Sequence, residues 1–255
     1  MVEPTQRFSS RAENYVKYRP SYPAAIVDLL RRECGLKPSS IIADVGSGTG
    51  LLTALFLKNG NRVYGVEPNR EMREAGEYLL QNHTRFSSVA ATAEATTLAD
   101  QSIDCVTSGQ AFHWFDRDRT HVEFTRILKP HGWLVLVWNE RRTTATPLQR
   151  DYDQLLRTYA IDYAAVDHKQ VDDTALSSFY GSAGFKLKTL ENRQMFDFES
   201  LQGRLLSSSY TPEAGHPNHA PMLAELGQIF RAHQVEGKVS FDYDTKVYYG
   251  QLETP

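Results

Sequence analysis

Short apolar runs typical of strands alternate, over the first 140 residues, with segments whose apolar side chains recur every three or four positions, as on one helix face. The predicted strands lie near residues 41–45, 62–67, 86–91, 103–107 and 133–138. One helical pattern precedes the first strand, over 23–34, and others lie between later strands, with short connections. This alternation predicts a doubly wound, parallel β-sheet with helices on both faces, an α/β fold.

The pattern loosens beyond residue 140. Residues 140–172 are polar and rich in tyrosine, and no element is predicted there. Later segments predict helices near 174–182, 198–207 and 221–233, a strand over 185–196, terminal strands at 239–241 and 245–249, and a loop at 211–218. We interpret the late helices as a cap over the sheet edge. The chain then reads as one domain, with an N-terminal arm and helix (1–38), a cofactor-binding core (39–139) and the remaining strands plus a substrate cap (140–255).

Composition excludes several classes of protein. At 255 residues and 41% hydrophobic content the chain can bury a large core, and its formal net charge of −3 makes nucleic acid a poor expected partner. The longest apolar run, 133–138, is too short to cross a bilayer, and the first residues lack the apolar segment of a signal peptide. The two cysteines form no C-x-x-C, which indicates unpaired thiols in a reducing compartment. We therefore expect a soluble cytoplasmic protein that is not membrane-bound.

The most informative stretch is a glycine loop, Asp44-Val45-Gly46-Ser47-Gly48-Thr49-Gly50, between the first strand and a helix. Glycines allow positive φ and close approach of a ligand, and a helix N-terminus favours an anionic group. A dinucleotide fingerprint would need glycine where Leu51 stands, and no P-loop sequence is present. Glu67 ends the second strand about 20 residues on, where a carboxylate can accept both ribose hydroxyls. Asp44 could order the turn and suits a cationic ligand.

Together with Val66-Glu67-Pro68, Ala93-Glu94-Ala95 and Ser102-Ile103-Asp104-Cys105-Val106, the loop resembles the ordered motifs of class I S-adenosylmethionine-dependent methyltransferases. These motifs span about 41–138. The segments Phe8-x-x-Arg11-Ala12-x-x-Tyr15-x-x-Tyr18-Arg19-Pro20-x-Tyr22-Pro23 and Ala111-Phe112-His113-Trp114-Phe115 are similar to the type 11 branch. That branch includes trans-aconitate methyltransferase-like and quinone-biosynthesis enzymes. The resemblance implies a Rossmann-like sheet of seven mostly parallel strands, with S-adenosyl-L-methionine as cofactor, S-adenosyl-L-homocysteine as product and no metal.

The resemblance also assigns roles in cofactor binding. The glycine loop would face the methionine part, Glu67 the ribose diol, and Gln110 the methionine end, while Arg19 would pair with the cofactor carboxylate. The adenine contact rests on fewer residues, because Thr92 stands where many members carry Asp. The predicted cofactor-binding residues are Tyr18, Arg19, Asp44, Gly46, Ser47, Gly48, Gly50, Glu67, Pro68, Met72, Ala93, Glu94 and Gln110.

Methyl transfer from a sulfonium is an in-line displacement, so the protein mainly aligns the acceptor and excludes water. A base is needed only when the nucleophile loses a proton, and His113 is the candidate, with a packing role as the alternative. Phe112 and Trp114 could wall the pocket and favour the sulfonium, or belong to the core. Arg204 could bind an acidic substrate, or lie on a solvated helix face. The expected acceptor is a small molecule, such as a carboxylic acid or another small metabolite, and no oligomeric state is predicted.

Rival readings differ in their motifs. A nicotinamide-dependent oxidoreductase would need glycine at position 51 or a Tyr-x-x-x-Lys, and neither is present. Nucleic-acid methyltransferases use an Asn/Asp-Pro-Pro-aromatic run or a Pro-Cys nucleophile, which are also missing. His216-x-x-His219 lacks nearby cysteines or an acid cluster, so a metal site is not expected. A non-catalytic S-adenosylmethionine-binding protein stays open.

Overall fold

Seven strands form one sheet in the order β3-β2-β1-β4-β5-β7-β6. The computed structural model describes residues 18–161, 163, 173–208 and 210–253. The strands are β1 (Ile41–Val45), β2 (Arg62–Val66), β3 (Phe86–Val89), β4 (Ile103–Gly109), β5 (Leu128–Arg141), β6 (Lys186–Phe196) and β7 (Val239–Gly250). β1 to β5 run parallel, and β7 pairs antiparallel with both β5 and β6. The predicted doubly wound, mostly parallel sheet is confirmed.

Two strand predictions need correction. The residues expected to form two terminal strands are one continuous strand, because β7 pairs along its length with β5 on one side and β6 on the other. β5 begins at Leu128 rather than at 133, next to a register shift between Ile103 and Cys105 on β4.

Helices flank the sheet on both faces. They are α1 (Ala25–Glu33), α2 (Leu51–Lys58), α3 (Arg70–Leu80), α4 (Arg117–Ile127), α5 (Pro147–Tyr159), α6 (Asp173–Tyr180), α7 (Phe198–Leu206) and α8 (His219–His233), with 3₁₀ turns at Phe112–Trp114 and Gly181–Ala183. Side-chain caps fix several starts; Asn69, for example, accepts a hydrogen bond from the backbone N–H of Met72. None of the helices in the described ranges is long and apolar enough to cross a membrane.

Helix α5 lies where no element was predicted. Thr146 caps it and Pro147 opens its first turn, a common start signal. Its buried face carries Leu148, Tyr152, Leu155 and Leu156 at helical spacing, so the amphipathic pattern is present in the sequence and the missing helix prediction was wrong. Residues 1–17 of the predicted arm, which include Phe8, Arg11 and Tyr15, lie outside the described residues.

Three buried clusters hold the structure together. Along β5, Leu134, Leu136 and Trp138 pack into the cluster on one face of the sheet, and Val135 and Val137 pack into the cluster on the other. This alternation explains the apolar run at 133–138, which is buried on both faces. The third cluster joins α5, α7 and α8 to the ends of β6 and β7, through residues such as Tyr152, Leu201, Leu226 and Phe241. These three helices are the cap.

Candidate functional site

The glycine loop leaves β1 in a conformation that suits glycine. Gly46, Gly48 and Gly50 all have positive φ, at 68°, 55° and 85°. A Cβ on Gly46 would collide with the Cβ of Ala111, whereas one on Gly48 would meet only the Cε of Met72, at 3.4 Å. The backbone N–H groups of Gly46 and Ser47 both donate to the carbonyl oxygen of Val66. The loop is therefore tied to β2, and α2 begins directly after it.

Asp44 lies behind the loop and links three elements. Its carboxylate accepts hydrogen bonds from the hydroxyls of Thr53 on α2, at 2.6 Å, and Thr107 on β4, at 3.1 Å. The side chain is 1% exposed. Burial raises the pKa of Asp44 to about 6, although the two hydroxyl bonds act in the opposite direction. Its place beneath the turn agrees with the ordering role predicted for it.

Glu67 joins the loop to the start of α3. One carboxylate oxygen accepts from the N–H of Gly48, at 2.9 Å, and the other from the N–H of Asn69, at 2.8 Å. Burial raises the pKa of Glu67, while the two backbone bonds lower it. Each oxygen has accepted one N–H, so further lone pairs stay available for hydroxyl donors.

Of the four residues predicted to contact adenine, only Met72 is seen to contact the glycine loop. Met72 is buried and its methyl group packs toward Gly48, whereas Pro68 is exposed. Ala93 is buried in the core cluster that also contains Val66. Glu94 is half-buried, and its carboxylate accepts from the backbone N–H of Asp116 at 3.0 Å.

Gln110 follows β4 with an unusual φ of 58°. Its Nε2 donates to the carbonyl oxygen of Asn139 at 3.0 Å. Its Oε1 is buried without a hydrogen-bond partner, and so is the hydroxyl of Thr49 in the loop. Buried polar atoms normally have partners, and Thr49 also lines a small cavity beside the loop, so its hydroxyl is available to a ligand there.

The aromatic segment after β4 divides into buried and half-buried residues. Phe112 is fully buried and makes edge-to-face contacts with Phe115, Trp138 and Phe179, so its predicted place in a substrate pocket is wrong. His113 and Trp114 are half-buried, with ring centroids 4.7 Å apart. The short 3₁₀ turn points successive side chains in different directions, which the sequence pattern did not reveal.

Residues 18–22 run from the cap to the loop. The Tyr18 ring leaves no room for a side chain at Gly203 on α7, and Arg19 donates to the carbonyl oxygen of Ser207 at 3.0 Å. At the other end, the Tyr22 hydroxyl packs against Gly109, beside a cavity of about 30 Å³. The loop residues line this cavity, together with Tyr22, Leu52 and Gly109. In the sequence Tyr22 stands out only as part of a motif, so it was not predicted as a site residue.

Arg204 lies on the buried face of α7, with 7% of its surface exposed. The alternative of a solvated helix face is therefore wrong for this residue. Its neighbours Tyr152 and Tyr243, from α5 and β7, were not predicted as site residues, because only the packing of the cap brings them together.

The other polar side chains that the motifs left ambiguous have structural partners. Arg141 pairs with Asp153 at 3.2 Å and Arg142 with Asp244 at 2.7 Å. His219 contacts the carbonyl oxygen of Pro212 at 2.8 Å. Among the described residues, no group of three or more His, Cys, Asp or Glu side chains is arranged to hold a metal ion.

Comparison with known proteins agrees with this geometry. A family model described as a methyltransferase domain matches residues 43–136. An uncharacterized methyltransferase of Schizosaccharomyces pombe is 28% identical over 88% of this chain and 87% of its own length. One from Mycobacterium tuberculosis is 37% identical over 52% of both chains, so the match spans about half of that relative.

Solved structures share the fold. A type II methyltransferase candidate from Anaeromyxobacter dehalogenans superimposes with a TM-score of 0.70 at 22% identity, covering 93% of this chain and all of the other. Phosphoethanolamine N-methyltransferase 2 of Haemonchus contortus, in complex with S-adenosyl-L-methionine, gives a TM-score of 0.56 at 14% identity, covering 99% of this chain and 59% of the other. At these identities the structural matches establish the shared fold.

Proposed function

Because the chain belongs to the class I S-adenosylmethionine-dependent methyltransferases, we propose that it transfers a methyl group from S-adenosyl-L-methionine to a small-molecule acceptor. The observation that carries this proposal is the glycine loop held by Glu67. The loop lies at the carboxyl end of β1, whose neighbours are β2 and β4. The sheet order reverses there, and open α/β sheets bind their ligands at such a point.

The residues present fit the cofactor. The three glycines allow the positive φ angles of the loop, and the Thr49 hydroxyl, which lines the cavity beside the loop, is buried without a partner, as is Gln110 Oε1. Glu67 would hold the ribose diol, and Gln110 the methionine end. Bound there, S-adenosyl-L-methionine supplies an activated methyl group on a sulfonium. The contribution of the protein is then to orient the acceptor and exclude water.

A small acceptor is supported by the way the cap approaches the loop. Tyr18 and Arg19 contact α7 and the residue after it, and Tyr22 contacts Gly109 at the end of β4. Residues 18–22 therefore connect the cap to the sheet. The formal net charge of −3 does not favour a polyanionic substrate such as nucleic acid. A short segment that bridges the cap and the loop in this way suits a small acceptor better than a polymer.

His113 is proposed as the general base if the accepting atom must lose a proton. It follows β4, half-buried beside Trp114. Replacing His113 with Gln should lower kcat by about 10²–10⁴-fold if it removes a proton. The test is the pH profile of kcat/KM for an accepted substrate, and turnover with an unaltered profile would reduce His113 to a shaping role.

Calorimetry tests the cofactor. We expect heat from S-adenosyl-L-methionine and S-adenosyl-L-homocysteine and none from NADH, and the opposite result would favour a nicotinamide-dependent enzyme. Glu67→Ala should weaken binding by about 1–3 kcal/mol, the value of a lost hydrogen-bonded charged group. Glu67→Gln is the matched control, since it keeps one acceptor oxygen for the loop. Unchanged affinity in Glu67→Ala would show that Glu67 serves only the loop.

A further inference from the structure

Arg204 is a buried cation with few partners. One terminal nitrogen donates to the Ser208 hydroxyl at 2.9 Å, and Nε has no hydrogen-bond partner. Only 7% of the Arg204 surface is exposed, so solvent hardly reaches the guanidinium. Within the described ranges, no carboxylate forms an ion pair with it.

Tyrosine hydroxyls surround the Arg204 charge. Burial lowers the pKa of Arg204, and the neighbouring Tyr243, Tyr210 and Tyr152 more than offset that effect, so the pKa stays above its usual value. The hydroxyl of Tyr152 is itself buried without a hydrogen-bond partner, and that of Tyr243 has no partner besides the Arg204 guanidinium next to it. Burial raises the pKa of Tyr210, but Arg204 and Arg19 lower it below its usual value. The cluster therefore collects a cation and tyrosine hydroxyls, and no carboxylate of the described residues belongs to it.

Arg141, the neighbouring arginine, has a carboxylate partner. Arg141 lies over the Tyr152 ring, 4.9 Å from its centroid, and Asp153 compensates its charge at 3.2 Å. A buried charge without such a partner is costly, because desolvation is not repaid. Among the described residues, Arg141 thus has an acid and Arg204 has none, which points to a ligand as the source of the missing anion.

The position of Arg204 links it to the methyl-transfer region. Its neighbour Gly203 contacts Tyr18, and the segment that begins at Tyr18 ends with Tyr22 against Gly109, beside the glycine loop. Four extended residues span at most about 14 Å. That limit holds between the Cα atoms of Tyr18 and Tyr22, and their side chains add to it at both ends, so an acceptor that spans the Arg204 cluster and the loop must be an elongated molecule.

We propose that Arg204, with the hydroxyls of Tyr152 and Tyr243, binds a carboxylate of the methyl acceptor; this rests on the proposed function. A guanidinium binds a carboxylate through two parallel hydrogen bonds, and the hydroxyls supply further donors. The cluster offers one uncompensated positive charge, which matches a carboxylate better than a phosphate dianion. The anchored carboxylate lies at the cap end of the acceptor, so a different atom receives the methyl group. Because the cluster is shielded from solvent, the acid reaches it only when the cap packing loosens.

The test measures binding of small probes to the full chain saturated with S-adenosyl-L-homocysteine. Succinate and benzoate are compared with succinamide, benzamide and phenyl phosphate, by calorimetry and by thermal unfolding. We expect the acids to bind and the amides not to bind. Arg204→Met should weaken acid binding about 10- to 100-fold, as for a charge-assisted hydrogen bond, whereas Arg231→Met, on the exposed side of α8, should leave it unchanged. Equal binding of amides, tighter binding of phenyl phosphate, or acid binding insensitive to Arg204→Met would each overturn the proposal.

The same variants also show whether a loss of binding is caused by a loss of folding. Arg204→Met should leave the thermal midpoint of the ligand-free protein unchanged or higher, because an uncompensated buried charge is removed; a large drop would indicate a structural role and overturn the proposal. Tyr243→Phe, which keeps the shape of the cluster, should also weaken acid binding. If S-adenosyl-L-homocysteine itself fails to bind, the proposed function fails; if it binds and no acid does, only the carboxylate proposal fails.

Discussion

The glycine-loop side of the sheet and the cap both bury ionisable groups, but they satisfy them differently. Asp44 and Glu67 each accept two hydrogen bonds from the protein. Arg204 and its neighbour Tyr152 keep buried polar atoms without partners. The carboxylates of the loop side are thus oriented before any ligand arrives, and the unpartnered atoms there are the neutral groups of Thr49 and Gln110. In the cap, the buried Arg204 charge has no carboxylate partner among the described residues, and an anionic ligand can supply one.

The loop side should be the more sensitive to substitution. Gly46→Ala adds the cost of a left-handed backbone to a collision with Ala111, so the free energy of unfolding should fall by about 2–5 kcal/mol. Gly48→Ala is the matched control, because its φ is also positive but only the flexible Met72 lies nearby; about 1–2 kcal/mol is expected. Denaturant unfolding measures both, and equal losses would contradict a rigid contact at Gly46.

Asp44 should make stability depend on pH in an uncommon direction. Its pKa is about 6 in the folded protein, against 3.8 for an unperturbed aspartate side chain, so the folded state holds the proton more tightly. The stabilisation is complete below pH 3.8 and is lost as pH rises through about 6, a change of about 3 kcal/mol. Asn cannot titrate, so the stability of Asp44→Asn relative to the unmodified protein should increase between about pH 4 and pH 7.5. A constant difference across that range would contradict the buried, raised pKa.

The smallest effect should come from two buried tyrosines. The Tyr180 hydroxyl on α6 contacts the carbonyl oxygens of Leu134 and Tyr248, at 3.3 and 3.2 Å, whereas that of Tyr243 has no partner besides Arg204. Tyr180→Phe should lower the free energy of unfolding by about 1 kcal/mol. Tyr243→Phe should leave it unchanged or raise it by up to about 1 kcal/mol, because a poorly satisfied hydroxyl is removed. Equal destabilisation in the two variants would show that the cap is as well satisfied as the sheet.

The same contrast explains what could be predicted. Strands, glycine loop and Glu67 follow from patterns a few residues long, since a strand, a turn and a helix start are local structures. The helical pattern of α5 could also have been predicted, but the burial of Arg204 depends on contacts with Tyr152 and Tyr243, which lie far apart in the chain. Phe112 was misplaced for the same reason: its burial is decided by Trp138 and Phe179, on β5 and α6.

The place of β7 in the sheet has a consequence for synthesis of the chain. β7 lies between β5 and β6 although it follows both in sequence. A nascent chain that ends before residue 239 leaves one edge of β5 unpaired, with apolar residues such as Leu134 and Leu136 along it, and gives β6 no strand to join. Open apolar edges invite pairing with other chains. Until β7 is synthesised and paired, aggregation can therefore compete with folding at this edge of β5.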